Sequence, residues 1–242
     1  RRLQTAVAEQ LSTTPSRTPA DRLGRTLLAL QGDGAVDGAS VVSAAQEALQ
    51  LGDVALAERL ARGALDRADQ SGAFDARLAL STALAWQGRG REAEIVLGAV
   101  DAATLTEEQV MAWALPRAAN QFWMLSEPER ATAFLQNVRR RVTTPSARIT
   151  LDALSGTFAM NAGQVRRAIE IADEVLTAPD SPDMAVAWSA SAAALSSARM
   201  GRFAEVGPLV ARALSSEYPG LLRFTVGMAE TTTLLMTGED EA

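Results

Sequence analysis

Apolar residues along this chain recur at helical spacing in short segments that are separated by turn signals. Within residues 106–138, one such segment carries Trp113 and Trp123 and a second carries Leu135, with Ser126-Glu127-Pro128 between them. Apolar positions three and four residues apart form one face of a helix. A hydroxyl residue followed by Glu and by Pro at the first helical position is typical of a helix start. The stretch therefore predicts two helices joined by a tight turn.

The same helix pair recurs when the sequence is aligned on its turn residues. These lie 36 to 38 residues apart and are Gly52, Gly88, Ser126, Gly163, Gly201 and Gly238. Small or apolar residues follow each of the first five turns at five, nine and twelve positions, which places them on one helical face. Small residues also precede each turn by seven positions: Ala45, Ser81, Ala119, Gly156, Ala194 and Thr231. We expect Ala119 and Gly156 to be buried where the two helices of a pair cross.

A repeat of this length resembles the tetratricopeptide repeat, although the period is slightly longer than in that family. The sequence therefore predicts an all-α protein, a tetratricopeptide-like right-handed superhelix of antiparallel helix hairpins. Residues 1–34 are expected to form N-terminal helices that lead into the array. Residues 35–242 are expected to form about five hairpins and the first helix of a sixth. Because the chain begins with Arg and ends where another helix would begin, we expect it to be a fragment of a longer protein.

The composition excludes several kinds of chemistry. The chain contains no Cys and no His, and all 23 of its basic residues are Arg. Thiol nucleophiles, imidazole bases and Schiff-base lysines are therefore impossible, and we expect neither an enzyme nor a cofactor or metal site. The net charge of −6 offers no basic surface for nucleic acid, so this fragment is not expected to contact it directly.

The chain also lacks the sequence features of a membrane or secreted protein. No apolar run approaches the roughly 18–20 residues that cross a bilayer, and no signal-peptide pattern opens the sequence. We therefore expect a cytoplasmic protein that does not contact a membrane.

Three segments carry a more specific resemblance: residues 51–62 (LGDVALAERLAR), 83–89 (ALAWQGR) and 117–123 (RAANQFW). Together they resemble the helical-repeat region of large actinobacterial LuxR-type transcriptional regulators, a family that includes maltose-responsive activators. The resemblance covers most of residues 20–140. In that family the repeats follow an ATPase module and precede a DNA-binding helix-turn-helix, and neither module occurs in this sequence. The resemblance implies a regulatory domain that binds a small inducer, an oligosaccharide in the best-known cases.

The tryptophans are the candidate ligand-binding residues. Trp113 and Trp188 lie thirteen residues before their turns, and Trp86 and Met124 lie two before theirs. Because eleven residues make about three helical turns, these positions share a face, and we expect that face to point away from the second helix of each hairpin. The predicted ligand-binding residues are Trp86, Trp113, Arg117, Asn120, Trp123, Met124, Asn161, Trp188 and Arg199. The alternative is that the tryptophans fill space between neighbouring repeats.

Two functions follow from this interpretation. In the first, the concave groove of the superhelix binds a small inducer, and binding is relayed to the ATPase and DNA-binding modules. Such relay requires that the ligand bind two arrangements of the regulator with different affinity. In the second, the chain is a protein-interaction scaffold whose groove receives a peptide or a partner domain. An aromatic groove favours the first function.

Overall fold

The computed structural model describes residues 18–31, 37–66, 70–216 and 222–238, and all regular elements in these ranges are helical. Residues 1–17 of the predicted N-terminal segment lie outside the described residues. The α-helices are α1 Pro19–Gln31, α2 Gly38–Gln50, α3 Val54–Leu65, α4 Gln70–Trp86, α5 Gly90–Gly98, α6 Glu107–Ala119, α7 Pro128–Arg141, α8 Pro145–Asn161, α9 Val165–Thr177, α10 Asp183–Arg199, α11 Phe203–Leu214 and α12 Leu222–Thr237. A 3₁₀ turn spans Ala102–Thr104, and a π-helical segment spans Asn120–Met124. The all-α prediction is confirmed for the described residues.

The predicted turns are confirmed in position and share one backbone conformation. All six aligned turn residues adopt left-handed φ angles between 57° and 79°, Ser126 included. At Gly52, Gly88, Gly163 and Gly201 the next residue donates its N–H to the carbonyl five positions earlier, as in Arg89 N to Leu84 O at 2.9 Å. This is the Schellman arrangement, which satisfies the last carbonyls of a helix and favours Gly because it lacks a Cβ. Helix ends are therefore specified by the sequence repeat.

The register of the second helices is also confirmed. The residues five, nine and twelve positions after the first five turns are buried, except Val100, which is half-buried because α5 ends at Gly98. Many of these residues are Ala, so the paired helices approach closely. Gly156 is buried as predicted, and a Cβ there would lie 3.2 Å from Cγ2 of Ile171 on α9. In this hairpin the position seven before the turn therefore faces the second helix.

The Ala119 prediction is wrong by one residue. Ala118 is fully buried whereas Ala119 is half-buried. The cause is the π-helical segment, in which Leu125 N donates to Asn120 O over five residues. A π turn holds one residue more than an α turn, so it shifts all earlier residues of the helix by one place relative to Ser126. Ala118 consequently takes the position that Ala119 was expected to occupy.

The chain divides into two compact units, which the sequence did not predict. The first comprises residues 1–106 and 119–125. In it α2 packs against α1, α3 and α4, and α5 packs against α4 and the π-helical segment. Arg22 of α1 forms an ion pair with Glu47 of α2. The core between these helices consists largely of Ala and Leu, including Ala45, Ala61 and Leu84.

Glu58 fastens α3 to the turn that joins α4 and α5. Its carboxylate accepts hydrogen bonds from Gln87 Nε2 at 2.9 Å, Arg62 Nη2 at 2.8 Å and Arg89 Nη1 at 2.8 Å. The hydrogen bonds from Gln87 and Arg62, with smaller contributions from Arg89, hold the pKa of Glu58 at about 2, well below its usual value. The ionised Glu58 carboxylate therefore links one hairpin to the next through hydrogen bonds and ion pairs.

The second unit comprises residues 107–118 and 126–242. Its central helix is α10, which contacts α8, α9, α11 and α12 and buries most of its residues. Most of the buried residues are Ala or Ser, so neighbouring helices can surround α10 on nearly all sides. Several first helices of successive hairpins contact each other: α2 contacts α4 in the first unit, and α10 contacts α8 and α12 in the second.

Candidate functional site

Among the large apolar side chains that the first unit exposes are three on α4 and the π-helical segment, close to hairpin turns. Trp86 is the last residue of α4 and is 62% exposed, while Trp123 and Met124 in the π-helical segment are 42% and 47% exposed. Phe122 supports Trp123 through an edge-on contact with ring centroids 5.4 Å apart. We call Trp86, Trp123 and Met124 the aromatic surface. Exposed aromatic side chains provide rigid, flat contact area for a ligand.

Gly90 joins the elements that carry this surface. It opens α5 four residues after Trp86 and is buried against the π-helical segment. A Cβ on Gly90 would lie 2.5 Å from Cβ of Met124 and 3.2 Å from Oδ1 of Asn120. Only glycine permits this approach, because real Cβ atoms are not found so close to a neighbouring carbon.

Two buried amides hold the π-helical segment on α5. Asn120 Nδ2 donates to the carbonyl oxygen of Gly90 at 2.9 Å, and Gln121 Nε2 donates to Oε1 of Glu94 at 3.0 Å. The sequence predicted that Asn120 would face a ligand, but its side chain is buried and bonded to the backbone. The oxygens Oδ1 of Asn120 and Oε1 of Gln121 are buried and accept no hydrogen bond from the described protein atoms. These amides position the aromatic surface rather than form part of it.

Trp113 and Arg117 lie in the second unit and pack on the second helix of their own hairpin. Trp113 is only 3% exposed and meets Phe134 of α7 edge-on, with centroids 5.3 Å apart. The Arg117 guanidinium lies 5.2 Å from the centroids of both rings. The sequence predicted that Trp113 would face away from α7, and this is wrong. The extra residue in the π turn rotates Trp113 by about 100° relative to Ser126.

The remaining predicted residues also belong to the second unit. Trp188 is half-buried beside the cluster that contains Val175 and Ala185. Asn161 is exposed, and its Nδ2 donates to Thr157 O of its own helix at 2.9 Å. Arg199 Nη1 donates to Met160 O at 3.2 Å, next to Asn161 at the C-terminal end of α8. A ligand contact by these three side chains stays a prediction.

The carboxylate of Glu107 accepts hydrogen bonds from two threonines, an arrangement that sequence analysis missed. Its carboxylate accepts four hydrogen bonds from Thr143 and Thr144, including Thr143 N at 2.8 Å, Thr143 Oγ1 at 2.7 Å and Thr144 N at 3.0 Å. The residues involved lie 36 and 37 positions apart, and only the repeat period could have indicated their proximity. The bonds tie the start of α6 to the start of α8. They hold the pKa of Glu107 at about 2, with the Thr144 hydroxyl contributing most.

Because of the Glu107 carboxylate, we expect the stability of the folded chain to depend on pH. Because the pKa of Glu107 is lowered on folding, its contribution is complete above its usual pKa of 4.5 and is lost as the pH falls toward 2. We expect Glu107→Gln to lower the melting temperature at neutral pH, and the difference from the wild type to shrink as the pH falls through this window. Melting curves at several pH values test this. Glu108→Gln changes the exposed neighbouring carboxylate and serves as the control. A difference for Glu107→Gln that stays constant from neutral pH to pH 2 would contradict the assignment.

Two features are absent from the part of the chain that the structure describes. Within residues 18–31, 37–66, 70–216 and 222–238, no three acidic side chains are grouped so that they could hold a metal ion. Over the same ranges, no helix combines the length and apolar character needed to cross a membrane.

The chain was also compared with known proteins. No protein-family model matches it, and a search of curated proteins finds no match.

Proposed function

We propose that this chain is the ligand-sensing helical-repeat domain of a LuxR-type transcriptional regulator, and that its aromatic surface contacts the inducer. The observation that carries the proposal is the exposure of Trp86, Trp123 and Met124 at neighbouring hairpin ends of the first unit. The three segments that resemble LuxR-type regulators support it, because residues 83–89 and 117–123 contain both tryptophans of this surface.

The fold proposed for the domain is a tetratricopeptide-like right-handed superhelix. Two features support it within each unit. The first helices α2 and α4 contact each other, as do α8 and α10 and then α10 and α12, and the hairpin turns repeat with one backbone conformation. Stacked helix pairs of this kind bury a continuous core only when neighbouring repeats pack together.

The ligand class that suits the aromatic surface is a neutral molecule with a flat apolar face, such as a sugar ring. Indole rings supply area for stacking at low conformational cost. The π-helical segment also favours binding. The side chains of Asn120 and Gln121 already form hydrogen bonds with α5, so ligand binding does not pay an entropic cost for ordering them. Malto-oligosaccharides are the first compounds to examine, given the family resemblance.

The regulatory role extends to partners within the same protein. The ATPase and DNA-binding modules of such a regulator would receive the signal, and the regulator would act in the cytoplasm. This domain would not contact DNA itself, since its net charge is −6. Ligand binding changes the output only to the extent that the ligand prefers one arrangement of the modules.

Tryptophan fluorescence tests the proposed site. We expect the emission of the wild type to change on titration with maltotriose, and Trp123→Ala to abolish the change while leaving the thermal melt intact. Trp123 is partly exposed, so its removal leaves the core in place. Ile95→Ala, which alters an exposed apolar residue of the same unit outside the aromatic surface, is the control and should respond like the wild type. An equal response from Trp123→Ala and the wild type would show that the aromatic surface is not the site.

A second candidate function is the protein-interaction scaffold. The observation that favours it is the exposure of Phe224, Met228 and Leu235 on α12 in the second unit. A scaffold would bind its partner in the presence and absence of small inducers.

A further inference from the structure

The connection between α7 and α8 presents two hydroxyl groups directly after a run of arginines. Residues 139–145 read RRRVTTP, and α7 ends at Arg141. Thr143 and Thr144 are exposed, whereas the side chain of Val142 is buried and anchors the connection. The backbone is extended at both Val142 and Thr144. Thr143 is therefore an accessible hydroxyl in a short extended segment outside the helices.

The arginines before Thr143 have a spacing that occurs once in the chain. Arg140 and Arg141 lie three and two residues before Thr143, and no other Ser or Thr of the sequence follows two arginines in this way. Both arginines are exposed, while Arg139 is paired with Asp152 of α8 at 2.6 Å. Serine/threonine kinases that select basic substrates bind such arginines with acidic side chains beside their active site. The segment thus has the charge pattern of a substrate for this class of kinase.

The Thr143 hydroxyl already has a structural role, which a modification would reverse. Its Oγ1 donates to Oε2 of Glu107 at 2.7 Å, and its N–H donates to the same oxygen at 2.8 Å. The carboxylate is ionised at neutral pH. A phosphoryl group on Oγ1 removes the donated hydrogen and adds a charge of about −1.5 to −2, and such a charge beside a carboxylate disrupts by repulsion. Phosphorylation would therefore break the link between the starts of α6 and α8.

We propose that Thr143 is a phosphorylation site for a serine/threonine kinase that selects basic substrates, and that phosphorylation releases the start of α8 from Glu107. Oγ1 of Thr143 attacks the γ-phosphorus of ATP, the bond from that phosphorus to the bridging oxygen breaks, and ADP leaves. The hydroxyl proton passes to the catalytic aspartate of the kinase. The site lies in the second unit and does not depend on the role proposed for the aromatic surface.

Phosphorylation of the folded chain is the direct test. The full chain is incubated with ATP and the catalytic subunit of cyclic-AMP-dependent protein kinase, which selects basic substrates, and the modified residue is located by mass spectrometry. We expect one phosphoryl group on Thr143. Thr143→Ala should accept none, while Thr144→Ala should still be modified. A synthetic peptide of residues 137–147 shows that the kinase acts on the segment outside the fold.

Substitution of the arginines tests how the segment is recognised. We expect Arg140→Ala and Arg141→Ala each to lower kcat/KM for the folded chain at least about tenfold, because each removes a charged contact with the kinase. The matched control is Arg166→Ala, which removes an exposed arginine of α9 and should change kcat/KM less than about twofold.

Thermal melts of the modified chain test the consequence. We expect phosphorylation to lower the melting temperature of the wild type by about 2–4 °C, the shift that one lost interaction typically causes in a chain of this size. In Glu107→Gln the same modification should leave the melting temperature unchanged or raise it, because no carboxylate faces the phosphoryl group and the start of a helix favours negative charge.

Three results would overturn the proposal. The first is a folded chain that is not phosphorylated on Thr143, whether or not the peptide is. The second is a rate that Arg140→Ala and Arg141→Ala change no more than Arg166→Ala does. The third is a phosphorylation that lowers the melting temperature equally in the wild type and in Glu107→Gln, since repulsion from the carboxylate would then play no part.

Discussion

Replacing Trp113 by Ala is expected to lower the free energy of unfolding by about 3–5 kcal/mol, the range found for large aromatic residues removed from a protein core. Trp113 is buried, contacts Phe134 edge-on and lies beneath the guanidinium of Arg117. The substitution therefore loses apolar burial, an aromatic pair and a cation–π contact together. Urea unfolding followed by circular dichroism measures the loss without depending on tryptophan emission.

The control for Trp113 is another tryptophan. Trp86→Ala makes the same chemical change at a side chain that is mostly exposed, and it should alter the free energy of unfolding by no more than about 0.5 kcal/mol. Trp113→Phe keeps an aromatic ring opposite Phe134 and should lose less than Trp113→Ala. Equal losses for Trp86→Ala and Trp113→Ala would contradict the structural role assigned to Trp113.

Gly90→Ala is expected to cost about 1–3 kcal/mol of stability, although only one methyl group is added. Its Cβ would lie 2.5 Å from the Cβ of Met124, an atom attached directly to the backbone, so the π-helical segment must shift. Such a shift also lengthens the hydrogen bond from Asn120 Nδ2 to Gly90 O. The same urea unfolding experiment measures the cost.

Gly24→Ala is the matched control for Gly90→Ala. Gly24 lies in the interior of α1 in the same unit, and a Cβ there would meet nothing within 4 Å. Ala is favoured over Gly within a helix by about 0.5–1 kcal/mol, so this variant should be slightly more stable than the wild type. We therefore expect Gly90→Ala to lower the free energy of unfolding and Gly24→Ala to raise it slightly. If Gly90→Ala also stabilised the chain, the close packing of Gly90 against Met124 would be wrong.

The repeat was predictable from sequence because it combines local signals. Left-handed turns favour Gly, and small residues recur at fixed distances from them, so the six turns and the buried face of the second helices follow from spacing alone. Ser126 occupies the same conformation without being Gly and was identified only through alignment with the others. The positions of the helix ends and the buried faces of the second helices could therefore be predicted from the sequence.

The candidate site was less predictable because its geometry depends on one inserted residue. The spacing from Gly88 to Ser126 is 38 residues, but so is the spacing from Gly163 to Gly201, where the structure shows no π-helical segment. Period alone cannot tell whether the extra residue lies in a loop or within a helix. In this chain the extra residue lies within the helix, and as a result Trp113 faces Phe134. The exposure of Trp86 and Trp123 depends on which helices surround them, which the sequence does not encode locally.

The principal helix contacts in both units join helices that are neighbours or next neighbours along the chain. Few long loops must therefore close before stabilising contacts form, and chains with this property fold quickly for their length. Cooperativity is correspondingly short-ranged, because each helix pair is stabilised chiefly by the pairs beside it. Local opening of one pair leaves distant pairs protected, so amide hydrogen exchange in this chain should vary by hairpin, with the α10 neighbourhood exchanging slowest and α12 among the fastest.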